Sequence, residues 1–130
     1  MLKNYPIFDW SSVPEWKRGY LAGLIDGEGS IIIPKKKNLR VGIYIANTHV
    51  GVLEWCLRNF PFGNLRLVKR KQRYSSDGKI KHDICYQFYS QGTRNVYMIL
   101  VGLLPYLIIK KEKAEECVGF LENKYGEELR

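Results

Sequence analysis

Residues 20–30 read YLAGLIDGEGS, an apolar run that ends on two acids, Asp26 and Glu28, set between glycines. Leu21, Leu24 and Ile25 recur at helical spacing, and Trp16 and Tyr20 extend the pattern upstream. Residues 12–15 (SVPE) have the form of a capping box with Pro14 near the first turn, which predicts the helix start. Gly27 and Gly29 predict its end. The carbonyl end of a helix already carries partial negative charge, so two carboxylates there repel the dipole and each other. Helix stability therefore does not explain why a chain of net charge +8 puts acids at this point. Gly19 and Gly23 lie one turn apart with Ala22 beside them, and each glycine costs about 1 kcal/mol of helix propensity relative to alanine. Close approach of a second helix would offset that cost, which predicts a helix–helix seam at Gly19, Ala22 and Gly23.

Beyond this helix, residues 30–36 (SIIIPKK) and 40–48 (RVGIYIANT) predict a hairpin turning around Lys37 and Asn38. In its second strand Val41, Ile43 and Ile45 share one face, and Arg40, Gly42 and Tyr44 the other. Val50, Leu53, Leu57 and Phe60 mark an amphipathic helix stopped by Pro61 and Gly63. A second strand pair, 65–74 and 79–90, turns through SSDG. Leu65 and Leu67 oppose Arg66, Val68, Arg70 and Gln72, while Ile84, Tyr86 and Phe88 oppose Lys81, Asp83, Cys85, Gln87 and Tyr89. Residues 93–104 and 111–125 predict two further helices, the last with Ala114, Cys117, Val118 and Leu121 as its stripe. The order α-β-β-α-β-β-α-α predicts an α+β fold, a four-stranded antiparallel sheet with helices on its apolar face and a basic face left open. At 130 residues, the chain has the length of a single domain, 1–130.

Positive charge concentrates in the strand segments. Residues 64–82 hold seven Lys and Arg against Asp77 alone, and Lys35, Lys36, Lys37 and Arg40 add four more cations. Charge runs are often only a solvated surface. Confinement to two strand-patterned segments favours a polyanion, and nucleic acid above all. The candidate contacts on the open face are Lys36, Arg40, Tyr44, Arg66, Arg70, Gln72, Lys81, Asp83 and Gln87. Arg and Lys can address guanine edges, Gln adenine, and Asp the cytosine amino group. No membrane partner is expected: the apolar run from Val101 to Ile109 contains Gly102 and Pro105 and is too short to span a bilayer. Three cysteines, Cys56, Cys85 and Cys117, without a CxxC pair, predict reduced thiols in a soluble intracellular protein.

Residues 21–29, LAGLIDGEG, resemble the signature of the LAGLIDADG homing endonucleases, departing from it at Gly27 and at Glu28, where aspartate is commoner. The order of elements from Trp16 to about Tyr125 is similar to that of the single-motif members. The resemblance implies a metal-dependent DNA endonuclease that acts as a homodimer on a long, near-palindromic duplex site, in which two signature helices pack together beneath a DNA-binding saddle. It implies Glu28 as the catalytic acid, with the Glu28 carboxylate and the Gly27 carbonyl as ligands of Mg²⁺ or another divalent cation. Asn47 matches a family position that helps order the attacking water; it could equally cap the following helix. Lys110 matches a lysine near the scissile phosphate. Asp26 is expected to brace the helix junction. Two other functions remain compatible with the same residues: an intron RNA maturase, with bases stacked on Tyr44, Tyr74 or Tyr89, and a DNA-binding regulator without catalysis.

Overall fold

The computed structural model describes residues 8–35, 39–60, 63–69, 73–74, 78, 80–81 and 84–129. Lys36, Arg70, Gln72 and Asp83, expected on the open face, lie outside the described residues. A 3-10 turn, Trp10–Ser12, precedes α1 (Glu15–Glu28), β1 (Gly29–Ile32), β2 (Gly42–Asn47) and α2 (Val50–Asn59). Then come β3 (Asn64–Lys69), β4 (Arg73–Tyr74), β5 (Ile80–Lys81), β6 (Ile84–Gln91), α3 (Thr93–Leu103), a 3-10 turn (Leu104–Tyr106), α4 (Lys111–Tyr125) and a final 3-10 turn (Gly126–Leu129).

The expected capping box does not form. Ser12 belongs to the preceding turn, where its hydroxyl donates to the Asp9 carbonyl at 2.7 Å, so α1 begins after Pro14 with no side-chain cap. At the other end the helix runs through Gly27 to Glu28, and the Gly29 N–H donates to the Ile25 carbonyl. A Cβ on Gly29 would lie 2.7 Å from the Ile25 Cα. Only glycine lets the chain pass from the last helical turn directly into β1.

The main sheet has the order β1-β2-β6-β3, every neighbouring pair antiparallel, while β4 and β5 form a separate two-stranded pair between β3 and β6. Strand alternation puts Ile31, Ile43, Ile45 and Phe88 on the helix side, all buried. They join Leu21, Ile25, Leu53, Cys56, Val96, Leu100, Leu103, Cys117 and Leu121 in one core. Helix α1 packs on β1 and β2, α2 and α3 on β6, and α4 on β1 and α3. This is the α+β architecture that the order of elements predicts.

Three details differ from expectation. Leu57 and Leu67 are exposed, because the apolar side of α2 is Leu53, Cys56 and Phe60 and β3 lies at the sheet edge. Cys85 pairs with Val68 on the open-face side yet is buried. All three cysteines are free and buried, and burial pushes the Cys56 thiol up to about 12 and Cys117 to about 11.

Candidate nucleic-acid interface and acidic helix end

The last residue of α1, Glu28, is exposed. Because β1 follows without a loop and pairs with β2 in the register Gly29↔Ile45, the far end of β2 returns to the helix terminus. There the Asn47 Nδ2 donates to Glu28 Oε2 at 2.5 Å. The Asn47 Oδ1 accepts the His49 N–H at 2.8 Å, which leaves the amide nitrogen to face the carboxylate. The cap that Asn47 or Thr48 could have supplied to α2 comes instead from His49, whose Nδ1 accepts the Val52 N–H at 3.2 Å. Asn47 is thus a clamp on Glu28 rather than a helix cap.

Asp26 turns the other way. Its Oδ2 accepts the Ile108 N–H at 2.8 Å and its Oδ1 the Lys110 N–H at 3.0 Å. Burial pushes this carboxyl up, but the N–H groups of Lys110, Ile108 and Ile109 and the Lys110 charge outweigh it and hold the carboxyl below its ordinary range. The Lys110 Nζ donates to the Asp26 carbonyl at 2.7 Å, putting a cation on the negative end of α1. The conflict posed by two acids at a helix C-terminus is therefore answered within the chain. Asp26 is neutralised by the 108–110 segment, and Glu28 is restrained by an amide while staying open to solvent.

Glu28 is one exposed hard-oxygen donor, a type that suits Mg²⁺ or Ca²⁺. Among the described residues no group of three or more His, Cys, Asp and Glu could hold a metal ion. A divalent cation at Glu28 and the neighbouring Gly27 carbonyl fits only if further oxygens arrive from a second copy, from a phosphate or from water.

The open face of the sheet carries a connected row. Tyr44 and Tyr89 are cross-strand partners whose rings stack at 6.3 Å and 16°. The Arg66 guanidinium lies 4.4 Å from the Tyr89 ring centroid, and its Nε donates to Gln87 Oε1 at 2.7 Å. Gln91 Nε2 donates to the Tyr44 hydroxyl at 2.6 Å. Of the expected contacts, Tyr44, Arg66 and Gln87 are brought together here. Tyr89 was expected on this face, as a stacking surface for RNA bases, and Gln91 was not among the candidates although strand parity with Gln87 points to it. Arg40 precedes β2 and lies outside this row, beside Lys35. Lys81 sits in β5, paired with Arg73.

The outward side of α1 corrects the expected seam. Ala22 is wholly buried in the chain's own core and so is not available at a seam with a second helix. The exposed side carries Trp16, Tyr20, Gly23 and Gly27, with Gly19 at its margin. A Cβ on any of these three glycines would meet nothing within 4 Å. Tyr20 and Trp16 lean on Trp55 at ring separations of 5.0 and 6.3 Å, making an apolar cavity of about 300 Å³ next to His49.

No protein-family model and no curated protein sequence matches this chain. Solved structures do. The homing endonuclease I-CvuI, in complex with the I-CreI target in 2 mM Mg with the DNA not cleaved, is similar at a TM-score of 0.60 and 23% identity, covering 83% of this chain and 67% of that one. I-CvuI in complex with its own target in 2 mM Ca is similar at 0.60 and 22%, covering 82% and 66%. The archaeal intron-encoded homing endonuclease I-Vdi141I, complexed with DNA, is similar at 0.59 and 18%, covering 89% and 74%. The chain thus spans about two thirds of I-CvuI and about three quarters of I-Vdi141I. At these identities the likeness is one of architecture, and this chain has the fold of the homing endonucleases.

Proposed function

We propose that this chain is a LAGLIDADG homing endonuclease that acts as a homodimer and cuts both strands of a duplex DNA site with the aid of a divalent cation. The observation that carries this reading is Glu28 at the exposed end of α1, held there by Asn47 in a motif whose sequence resembles the family signature. The shared fold with DNA-bound homing endonucleases supports it.

One chain offers one such acid, and a duplex has two strands, so two copies are required. The outward side of α1 supports that pairing, since open glycines let helix backbones approach and Trp16 and Tyr20 provide apolar area beside them. Two-fold symmetry then implies a near-palindromic target. In this reading the open sheet face lies on the DNA, with Arg66, Gln87, Gln91 and Tyr44 as a pre-assembled contact row. Glu28 and the Gly27 carbonyl would hold the cation. When bound, a hard divalent cation lowers the pKa of water and offsets charge gathered on the phosphate. Asn47 fixes the Glu28 carboxylate, and Lys110 adds positive potential where the scissile phosphate approaches.

Glu28→Gln preserves shape and removes the charge. The expected result is retained duplex binding with metal-dependent cleavage reduced about 10²-fold or more, the usual weight of a charge-stabilising group. Cleavage at the native rate by this variant in Mg²⁺ would remove Glu28 from the chemistry.

A further inference from the structure

At the end of β2 opposite Asn47, a cavity of about 480 Å³ opens between residues 34–35 and 39–41, the start of α3 and the last turns of α4. Its lining includes three cations from two distant parts of the chain, Lys35, Arg40 and Lys124, and among the described residues no carboxylate. None of the three forms an ion pair with a described carboxylate; the ion pair found among the described residues is Lys113 with Glu116. Three like charges around one concavity repel unless an anion joins them. The Lys124 Nζ is held by rings instead of an acid, 5.8 Å from Phe120 and 5.4 Å from Tyr125. Its charge is therefore positioned by rings, with no ion pair among the described residues. Phe120 and Tyr125 also line the cavity as half-buried aromatic walls. The wall at Gly92 is bare backbone at φ 104°, with open space where a Cβ would stand.

We propose that this cavity binds a nucleotide, its phosphate on Lys35, Arg40 and Lys124 and its base against the Phe120 and Tyr125 side. Inorganic phosphate would use the cations alone and leave most of the volume empty. The volume falls in the range of small-molecule sites, about 300–1,000 Å³, and aromatic walls favour a planar ring as partner. The cavity lies outside the Tyr44–Arg66 row, so it can be filled independently of a duplex that lies on that row. A free nucleotide and an unpaired nucleotide of a single strand present the same chemistry.

Calorimetric titration of the full chain with AMP, adenosine, inorganic phosphate and a 5′-phosphorylated single-stranded hexanucleotide separates these sources. AMP or the hexanucleotide is expected to bind more tightly than either adenosine or phosphate. Lys124→Glu and Lys35→Glu should each weaken that binding about tenfold or more, in line with the loss of a charge-assisted contact. Lys113→Ala, at a cation of α4 that does not line the cavity, should leave it unchanged. Binding of the hexanucleotide without AMP, weakened by Lys124→Glu, assigns the site to a nucleic-acid strand, and binding of both, each weakened by that variant, assigns it to nucleotides generally. The proposal is overturned if neither binds, if inorganic phosphate binds as tightly as AMP, or if both charge reversals leave the affinity intact while thermal melting shows the variants folded.

Discussion

Asp26 and Glu28 are one glycine apart and do opposite things. Asp26 spends both carboxylate oxygens on backbone N–H groups of Ile108 and Lys110, which makes it a brace between α1 and the entry to α4. Its folded pKa lies below its ordinary value of 3.8. A depressed carboxyl contributes stability that is fully present above the unfolded pKa and is lost as pH falls through the folded one. Asp26→Asn keeps the size but turns an amide N–H toward a backbone donor, so at pH 7 the variant should be less stable by about 1–3 kcal/mol. That gap should narrow as pH falls below about 4, where the unfolded carboxyl takes up its proton, and should shrink further as pH falls through the lower folded value. Denaturant titrations of both proteins at pH 7 and pH 3 check this; an equal gap at the two values means the brace does not depend on charge. Glu28 has one amide donor from Asn47 and open solvent beyond it, so it is accessible from outside the chain.

At the scale of one element, α1 serves two sides. Leu21, Ala22 and Ile25 are buried in the core, and Trp16, Tyr20, Gly23 and Gly27 are exposed. Glycine in a helix interior costs about 1 kcal/mol each, and nothing within the chain needs the space that these glycines leave. Gly23→Leu therefore separates protomer stability from pairing. The isolated protomer should be as stable or slightly more so, because leucine is the better helix former and its Cβ meets no neighbour. Dimerisation should be lost, because a leucine would hold the second helix away. Sedimentation of the variant on its own and with DNA measures the pairing, and a dimer constant equal to the native one would remove this side of α1 from the interface.

Over the whole molecule, charge and shape are segregated. Helices cover one side of the sheet, while on the other Arg66 is fixed between Tyr89 and Gln87 before any ligand arrives. With a net charge of +8, duplex affinity should fall linearly in log–log form as salt is raised. Removing Arg66 should reduce the magnitude of that slope by about one unit, the share of one phosphate contact. Binding isotherms of the native chain and Arg66→Ala across a salt series test this, and an identical slope would mean that Arg66 does not meet the backbone.

How much of this was legible in the sequence follows from how far apart the partners are. Alternation in residues 41–45 marks Ile43 and Ile45 as inward, and glycine punctuation brackets a helix ending in two acids; both depend on neighbours a few positions away. Period alone also separates the polar from the apolar side of each strand, and with it the membership of Tyr44, Arg66 and Gln87 in one face. The Asp26–Lys110 brace joins residues 84 positions apart, and the Asn47–Glu28 clamp residues 19 apart. Such pairings depend on how elements are docked, which no local pattern encodes. The same holds for Ala22. A run of small and apolar residues says that a helix has a close-packed side, but only the position of the sheet decides which side that is. By itself, then, the sequence determined the main elements, their order and the presence of two acids at the helix end, because propensity and period act locally. The tertiary structure decided which acid is braced and which is left open, which side of α1 remains free and where a cation-lined cavity closes, because those depend on contacts between segments that are remote along the chain.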